Sequence, residues 1–398
     1  LFFAFLLAVI ALYVLVSSYS EKKLLSGIQY HVSLSHREVF VGDFLYLYEI
    51  LSNNGSLSLP YAKVDTELPN GLAFVLGEEE NLERQEGYVR SVFSLESGHK
   101  VERRWRLVAK IRGEYSLGNV LLIADNVFGM STGSKRFTAS PSSENTILIL
   151  PATLDLDATF CSSFRMPGQT ALPHGIFADP LSRIGSREYS TSDPMNRINW
   201  KVSAIQNRLM THIEEFSRSN ASNIILNMQS RSVEKNREEG ASIPDYVEGN
   251  ITVVASIWDR ISDLNIPSAL IANGRVKEPE ISQENDLGVP GLLFSKAFCG
   301  RGDIMDALRL LARLDVAITL PFEKLLDAIA QNLSFFAPDG NLILVTAYLD
   351  DRILDFCRYV ISCGVEISVY LTASSAGLPS GIPDQLEIFT VYPSSQSV

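Results

Sequence analysis

The residues best able to do chemistry crowd between positions 187 and 212. Arg187, Glu188, Tyr189, Asp193, Arg197, Asn199, Trp200 and Lys201 fall in one short run, and His212 follows it. Two carboxylates and an imidazole are the ingredients of general acid/base catalysis. Glu188, Asp193 and His212 are therefore the candidates for a hydrolase or transferase. The same run also reads as an ion-paired surface segment, with Arg187 and Arg197 neutralising the acids. Perturbed carboxylates are common in such structural networks too. Other catalytic signatures are missing from the sequence: it has no Walker A loop and no G-x-S-x-G elbow. Gly300-Arg301-Gly302-Asp303 lacks the third glycine of a dinucleotide fingerprint.

The elements that must position this run differ on its two sides. A length of 398 residues suggests two or three domains. The formal net charge is −12, from 34 Lys plus Arg and 46 Asp plus Glu, which argues against a general nucleic-acid binder. Four cysteines without a C-x-x-C pair exclude a disulfide scaffold and a zinc ribbon. Residues 1–19 are apolar, and the first charge comes at Glu21. A stretch of about 20 such residues crosses a bilayer as a helix, so a transmembrane helix is expected there. Lys22 and Lys23 behind it place the body on the cytoplasmic side of a cell membrane.

From 28 to 150 apolar and polar residues alternate with period 2, and Asn53-Asn54-Gly55 marks a turn. This predicts an antiparallel β-sandwich-like domain of roughly seven strands. His31, His36 and His99 are isolated within it and read as strand or surface residues. Residues 151–220 read as a linker that carries the charged run. From 221 to 398 short apolar runs alternate with helical stretches at about 246–264, 303–314, 322–333 and 351–364, which predicts an α/β domain with a mainly parallel sheet. Ligand sites in such sheets lie at the carboxyl ends of the strands.

The run Arg187-Glu188-Tyr189, Asp193, Ile198-Asn199-Trp200-Lys201, Ser203 and Ala204 resembles the signature of the bacterial and archaeal family called domain of unknown function fifty-eight. Arg112-Gly113, Tyr115 and Gly118, together with Asp125-Asn126-Val127-Phe128-Gly129, look like two further stretches of that family. Ser192, Pro194, Asn196 and Ile205 depart from the usual pattern. The resemblance implies a membrane-anchored protein with a β-sandwich-like segment and a C-terminal von Willebrand factor A-like (Rossmann-like) domain. It also implies a partner, an AAA+ ATPase of the MoxR type.

A typical A domain holds a divalent cation on D-x-S-x-S, a Thr and a later Asp. Here Asn227, Gln229 and Arg231 stand at the first set of positions, and Asp303 is a lone candidate ligand. A hard cation wants anionic oxygens, and arginine is permanently cationic. The sequence thus predicts no metal and no other cofactor. The expected function is that of a membrane-anchored, non-enzymatic interaction or scaffold protein. It would bind protein and bilayer but neither nucleic acid nor a small-molecule substrate, and would serve in assembly or maturation of complexes. The alternative is the hydrolase or transferase built on Glu188 and Asp193. Trp200 is expected to bury its ring as a brace, ringed by Arg187, Glu188, Asp193 and Arg197.

Overall fold

The computed structural model describes residue 3 and residues 25–75, 83–85, 88–125, 132–138, 142, 144–156, 177–189, 195, 198–217, 221–229, 244–276, 289–337, 341–372 and 381–391. Two compact units emerge. The first takes the described residues up to Ala152 together with Leu308–Leu314, and the second takes those from Thr153 to Ala307 and from Asp315 onward.

The first unit is β throughout its N-terminal part. Its strands are β1 (Ile28–Leu34), β2 (Glu38–Phe40), β3 (Phe44–Asn53), β4 (Leu59–Glu67), β5 (Leu72–Phe74), β6 (Glu83–Gln85), β7 (Tyr88–Leu95), β8 (Lys100–Ala109), β9 (Gly113–Ser116), β10 (Asn119–Asp125), β11 (Thr132–Thr138) and β12 (Thr146–Leu150). They form sheets ordered β1-β3-β8-β5, β11-β10-β4-β7-β6 and β2-β12-β9. The period-2 pattern does what it must on a pleated strand. On β3, Leu45, Leu47, Glu49 and Leu51 turn inward while Phe44, Tyr46 and Tyr48 turn out. One apolar cluster joins Leu45, Leu47 and Leu107 of the first sheet to Val39, Ile147 and Ile149 of the third. A second joins Ile28 and Leu51 to Val64, Val120 and Leu122 of the middle sheet.

A carboxylate sits inside this apolar interior. Glu49 is fully buried. Its Oε1 accepts hydrogen bonds from the Tyr30 hydroxyl at 3.0 Å and the Thr66 hydroxyl at 3.0 Å, and its Oε2 accepts from the Trp105 indole N–H. Arg103, directly opposite it on β8, brings Nη2 to 3.0 Å from Oε2, off the hydrogen-bonding axis. Arg103 also donates to the Ser91 hydroxyl. Thr66 and Ser91 belong to the second sheet, so the charge pair ties two layers together. Burial holds the Tyr30 phenol far above its ordinary range, with the Glu49 charge adding to the effect. Burial likewise lowers Arg103, against the pull of Glu49.

The Arg112–Gly118 stretch has a local logic. Gly113 and Gly118 adopt positive φ, which a residue with a Cβ rarely takes. The Tyr115 ring lies where a Cβ on Gly71 would be, and its hydroxyl donates to the Arg112 carbonyl at 3.1 Å. Arg112 is buried, donating Nε–H to the Leu311 carbonyl and Nη2–H to the Leu314 carbonyl, both at 2.9 Å. It thereby satisfies carbonyls at the end of a helix, which have no partner within it.

In the second unit β13 (Phe177–Glu188) and β14 (Met210–Ser217) form an antiparallel pair, with α1 (Trp200–Gln206) between them. A six-stranded sheet follows, ordered β17-β16-β15-β18-β19-β20. Its strands are β15 (Asn223–Leu226), β16 (Leu270–Ala272), β17 (Leu293–Phe294), β18 (Asn341–Thr346), β19 (Glu366–Leu371) and β20 (Glu387–Thr390). All neighbours are parallel except the β16–β17 edge pair. The helices are α2 (Pro244–Asp263), α3 (Gly300–Arg313), whose residues from Leu308 onward belong to the first unit, α4 (Phe322–Gln331), α5 (Leu333–Phe336) and α6 (Asp351–Ser362). The core packs Leu325, Ile329, Leu354 and Val360 of the helices against Ile225, Leu344 and Val369 of the sheet. Cys357 lies in it, and burial pushes its thiol up to about 12.

The expected architecture is corrected in several respects. The expected transmembrane helix over 1–19 lies, residue 3 apart, outside the described residues. Among the described residues no helix is long and apolar enough to cross a membrane. The longest, α2, spans 20 residues but carries acids and an arginine and is amphipathic. The reading of the C-terminal part as a von Willebrand factor A-like (Rossmann-like) domain is withdrawn as well. It rested on the resemblance of the charged run, and the strand–helix alternation such a domain needs is absent between β16 and β17 and between β19 and β20 among the described residues. The described chain is dominated by β-structure, with twenty strands against six helices. Among the described residues the sandwich segment has twelve strands rather than roughly seven, because short edge strands carry too few residues to show a period. The segment 151–220, expected as a linker, contains the β13–β14 pair and α1.

Removing one partner from a buried ion pair costs about 3–5 kcal/mol, because the other charge is left uncompensated. Glu49→Gln is expected to destabilise the protein by that amount in urea unfolding. The double variant Glu49→Leu/Arg103→Met should recover most of the loss. A double variant as unstable as the single one would show that the pair's hydrogen bonds, not the stranded charge, carry the effect.

Candidate functional site

The carboxyl ends of the parallel strands, where the sequence places the degenerate cation positions, are closed by neutral hydrogen bonds. Asn227, just past β15, is fully buried. Its Nδ2 donates to the Thr346 hydroxyl at 3.0 Å, and its Oδ1 accepts the Gln229 backbone N–H at 2.9 Å. Its carbonyl accepts from Asn250 Nδ2 at 2.8 Å, and Asn250 Oδ1 in turn accepts from the Thr372 hydroxyl at 2.5 Å. From the β16 side, Asn273 Oδ1 accepts the Met228 N–H at 2.8 Å while its Nδ2 donates to the Leu320 carbonyl. Gln229 has a definite task. Its Oε1 accepts the Phe322 N–H at 2.6 Å, at the start of α4, where Pro321 supplies no side-chain cap. Helix-start N–H groups need such a partner.

Arg231, the last of these positions, lies outside the described residues. Asp303 is not brought to the strand ends by any described contact. It accepts the Cys299 N–H at 3.1 Å, at the start of α3. Among the described residues no group of three or more His, Cys, Asp or Glu side chains is placed to hold a metal ion. Burial drives the Tyr348 phenol above its usual range; the Asn227 hydrogen bond opposes this, and the Asp350 and Glu323 charges add to it.

The signature run is built as a hairpin with a helical tip. Arg187 and Glu188 end β13, opposite Thr211 and Met210, and the Tyr189 N–H donates to the Leu209 carbonyl at 2.8 Å. Asn199 caps α1, its Oδ1 accepting the Val202 N–H at 3.2 Å and its Nδ2 reaching the Ser186 hydroxyl at 2.9 Å. The helix is anchored by Ser203, its one buried residue. The Ser203 hydroxyl donates to the Asn199 carbonyl at 2.7 Å and accepts the Met210 N–H at 2.8 Å. Asn207 ends the helix in the left-handed region at φ 55, which asparagine tolerates.

With Ser203 as the anchor, the first helical position faces solvent. Trp200 is 66% exposed rather than buried, so the expected brace is not found. Met195 at 71% and Ile205 at 76% are also exposed, as are Leu209, Lys201 and Arg208. Glu188 is exposed and lies 3.4 Å from Arg208. Asp193 and Arg197 lie outside the described residues, as do the side chains of Arg187 and His212. A solvent-open cleft of about 420 Å³ lies elsewhere in this unit, lined by residues such as Asp155, Ser256, Asp259 and Asp263. Two of its acids are held by Arg301 at 2.6 and 2.7 Å. Ser203 and Asn250 were not singled out as site residues. Only the spacing of an Asn cap four residues ahead of a serine hinted at the first.

Asn227→Asp removes the donor to Thr346 and buries a charge. A buried polar group stripped of its partner costs about 1–3 kcal/mol. The variant should melt lower than the parent at neutral pH and recover partly on acidification, when the new carboxyl is neutral. Millimolar Mg²⁺ should leave its melting temperature unchanged. Restabilisation by Mg²⁺ would reveal a cation geometry latent in the strand ends.

No known protein-family profile matches this chain, and no curated protein matches it in sequence. Solved structures show weak likeness over less than a third of its length. One is the Escherichia coli alpha-2-macroglobulin from domain MG7 to the C-terminus, at 12% identity and TM-score 0.25, covering 31% of this chain and 24% of that one. Another is a CARDB domain from Pyrococcus furiosus, at 11% identity and TM-score 0.19, covering 31% and 91%. A third is a non-cellulosomal cohesin from Archaeoglobus fulgidus, at 10% identity and TM-score 0.20, covering 28% and 92%. The chain thus spans about a quarter of the macroglobulin structure.

Proposed function

We propose that the chain is a non-enzymatic interaction protein that engages a protein partner through the tip of the β13–β14 hairpin. The observation that carries this reading is the exposure of Met195, Trp200, Ile205 and Leu209 on and around a helix anchored by a single serine. Tryptophan is among the residues enriched at interface hot spots, and Lys201 and Arg208 supply a polar rim of the kind that surrounds them. The hydrolytic alternative has less support, since Glu188 stands in solvent beside Arg208 and none of the clefts described above includes it. The resemblance of the run to the family called domain of unknown function fifty-eight supplies the partner class, an AAA+ ATPase of the MoxR type. The proposed role is assembly or maturation of protein complexes. A cytoplasmic placement comes with that partner, because such ATPases draw on cytoplasmic ATP.

The tip has a built-in reporter. Of the three tryptophans, Trp105 and Trp258 are buried, so Trp200 is the one open to solvent. Adding the ATPase should protect the protein's fluorescence from acrylamide quenching. Trp200→Ser should weaken capture of the ATPase by about 30-fold, as loss of a hot spot of about 2 kcal/mol does. Its melting temperature should stay close to the parent's, since exposed substitutions lie within about 0.5 kcal/mol. A variant that captures the ATPase as the parent does would sink the proposal.

A further inference from the structure

The outward face of the β1-β3-β8-β5 sheet carries a second, separate chemistry. Phe44, Tyr46 and Tyr48 project from alternate positions of β3 and are all exposed. Across from them on β8, Arg106 is paired with Tyr46 and Arg104 with Tyr48. Each guanidinium leans diagonally onto the next ring along. Arg106 lies 4.0 Å from the Phe44 ring centre and Arg104 lies 4.9 Å from that of Tyr46. Diagonal neighbours across strands are within reach of side chains this long.

These two arginines lack the acidic partner that many of the described arginines have. The chain has 46 acids against 34 bases, and Arg90, Arg301, Arg309, Arg313 and Arg352 each meet a carboxylate. Among the described residues Arg104 and Arg106 meet none. A guanidinium lying on a ring keeps its N–H edge available for bidentate bonding to a carboxylate. Glu102 takes the next outward position on β8 and is tied to Lys100 at 2.6 Å, so the cationic stretch is two residues long.

We propose that this face binds an extended acidic peptide segment of a partner protein, with carboxylates at alternate positions held by Arg104 and Arg106. The spacing carries the argument. Residues two apart on a strand stand about 7 Å apart, and an extended peptide repeats its side chains on one side at the same interval. Two carboxylates of one strand-like segment therefore reach both guanidiniums. The Tyr48 ring, with no cation over it among the described contacts, offers an apolar surface to the residue beyond. A single-stranded nucleic acid fits less well. It needs open ring faces for base stacking, whereas Phe44 and Tyr46 are covered by the guanidiniums.

Fluorescence anisotropy of the full chain with a labelled peptide of alternating glutamate and tyrosine tests this. Binding is expected to weaken as salt is raised and to fall about tenfold or more in Arg104→Glu/Arg106→Glu, given the size of two exposed ion pairs. Trp200→Ser should bind the peptide like the parent, which separates this face from the hairpin tip. Arg104→Gln/Arg106→Gln, whose circular dichroism should match the parent's, guards against a folding defect and should also bind weakly. The proposal is overturned if the peptide fails to bind, if a version with glutamine in place of glutamate binds equally, or if oligodeoxythymidylate of similar length binds more tightly.

Discussion

The side chain of Asn227 donates one hydrogen bond across to Thr346 and accepts one from the chain that leaves its own strand. Its lack of charge sets the character of the whole carboxyl edge of the parallel sheet. A carboxylate there would have no donor for Thr346 and would need a counter-ion. The amide needs neither, so Asn250, Thr372, Asn273 and Gln229 close around it with their own partners. The edge at which open α/β sheets usually take ligands is filled by the protein's own bonds. Exposed groups able to meet a partner are found instead at the hairpin tip and on the outward face of β3.

The sandwich handles a buried polar group in the opposite way. Glu49 stays a carboxylic group inside an apolar layer and gathers a phenol, a hydroxyl, an indole and a guanidinium from other strands. Ion pairs of this kind add little stability over an apolar substitute of equal shape, but a sheet shifted by one residue would strand the charge. The inward-facing row of β3 is thus registered against β8 by charge as well as by Leu45, Leu47 and Leu51. That registration also fixes which side Phe44, Tyr46 and Tyr48 face.

The sequence was informative where periodicity alone decides. The alternation along 44–53 marks β3, and the 3.6-residue pattern beginning near Tyr246 marks α2 to within a few residues. It was uninformative where a role depends on a partner far along the chain. Nothing in the sequence marks Glu49, because its partners Tyr30, Thr66 and Trp105 come from separate strands. Gln229 looked like a damaged cation ligand, while its actual task is set by Phe322, 93 positions later. Trp200 was misjudged for a different reason. A large aromatic is expected to pack, but the cap at Asn199 and the bond network of Ser203 fix the helix and leave its first residue outward. The A-like label came from the likeness of a short charged run, which lies outside the six-stranded sheet and carries no information on the order of its strands.

Arg112 has a consequence for how the chain is made. Its buried guanidinium donates from Nε and Nη2 to carbonyls 199 and 202 positions downstream. Ribosomes add about 5–20 residues per second, so those acceptors emerge roughly 10–40 s after the arginine itself. The twelve described strands that precede Ala152 are already synthesised by then. During that interval the sandwich holds a cationic side chain without its final acceptors, and water or a chaperone must serve in their place. Synthesis of Leu311 and Leu314, far outside the sandwich strands, sets the earliest moment at which the N-terminal unit is complete.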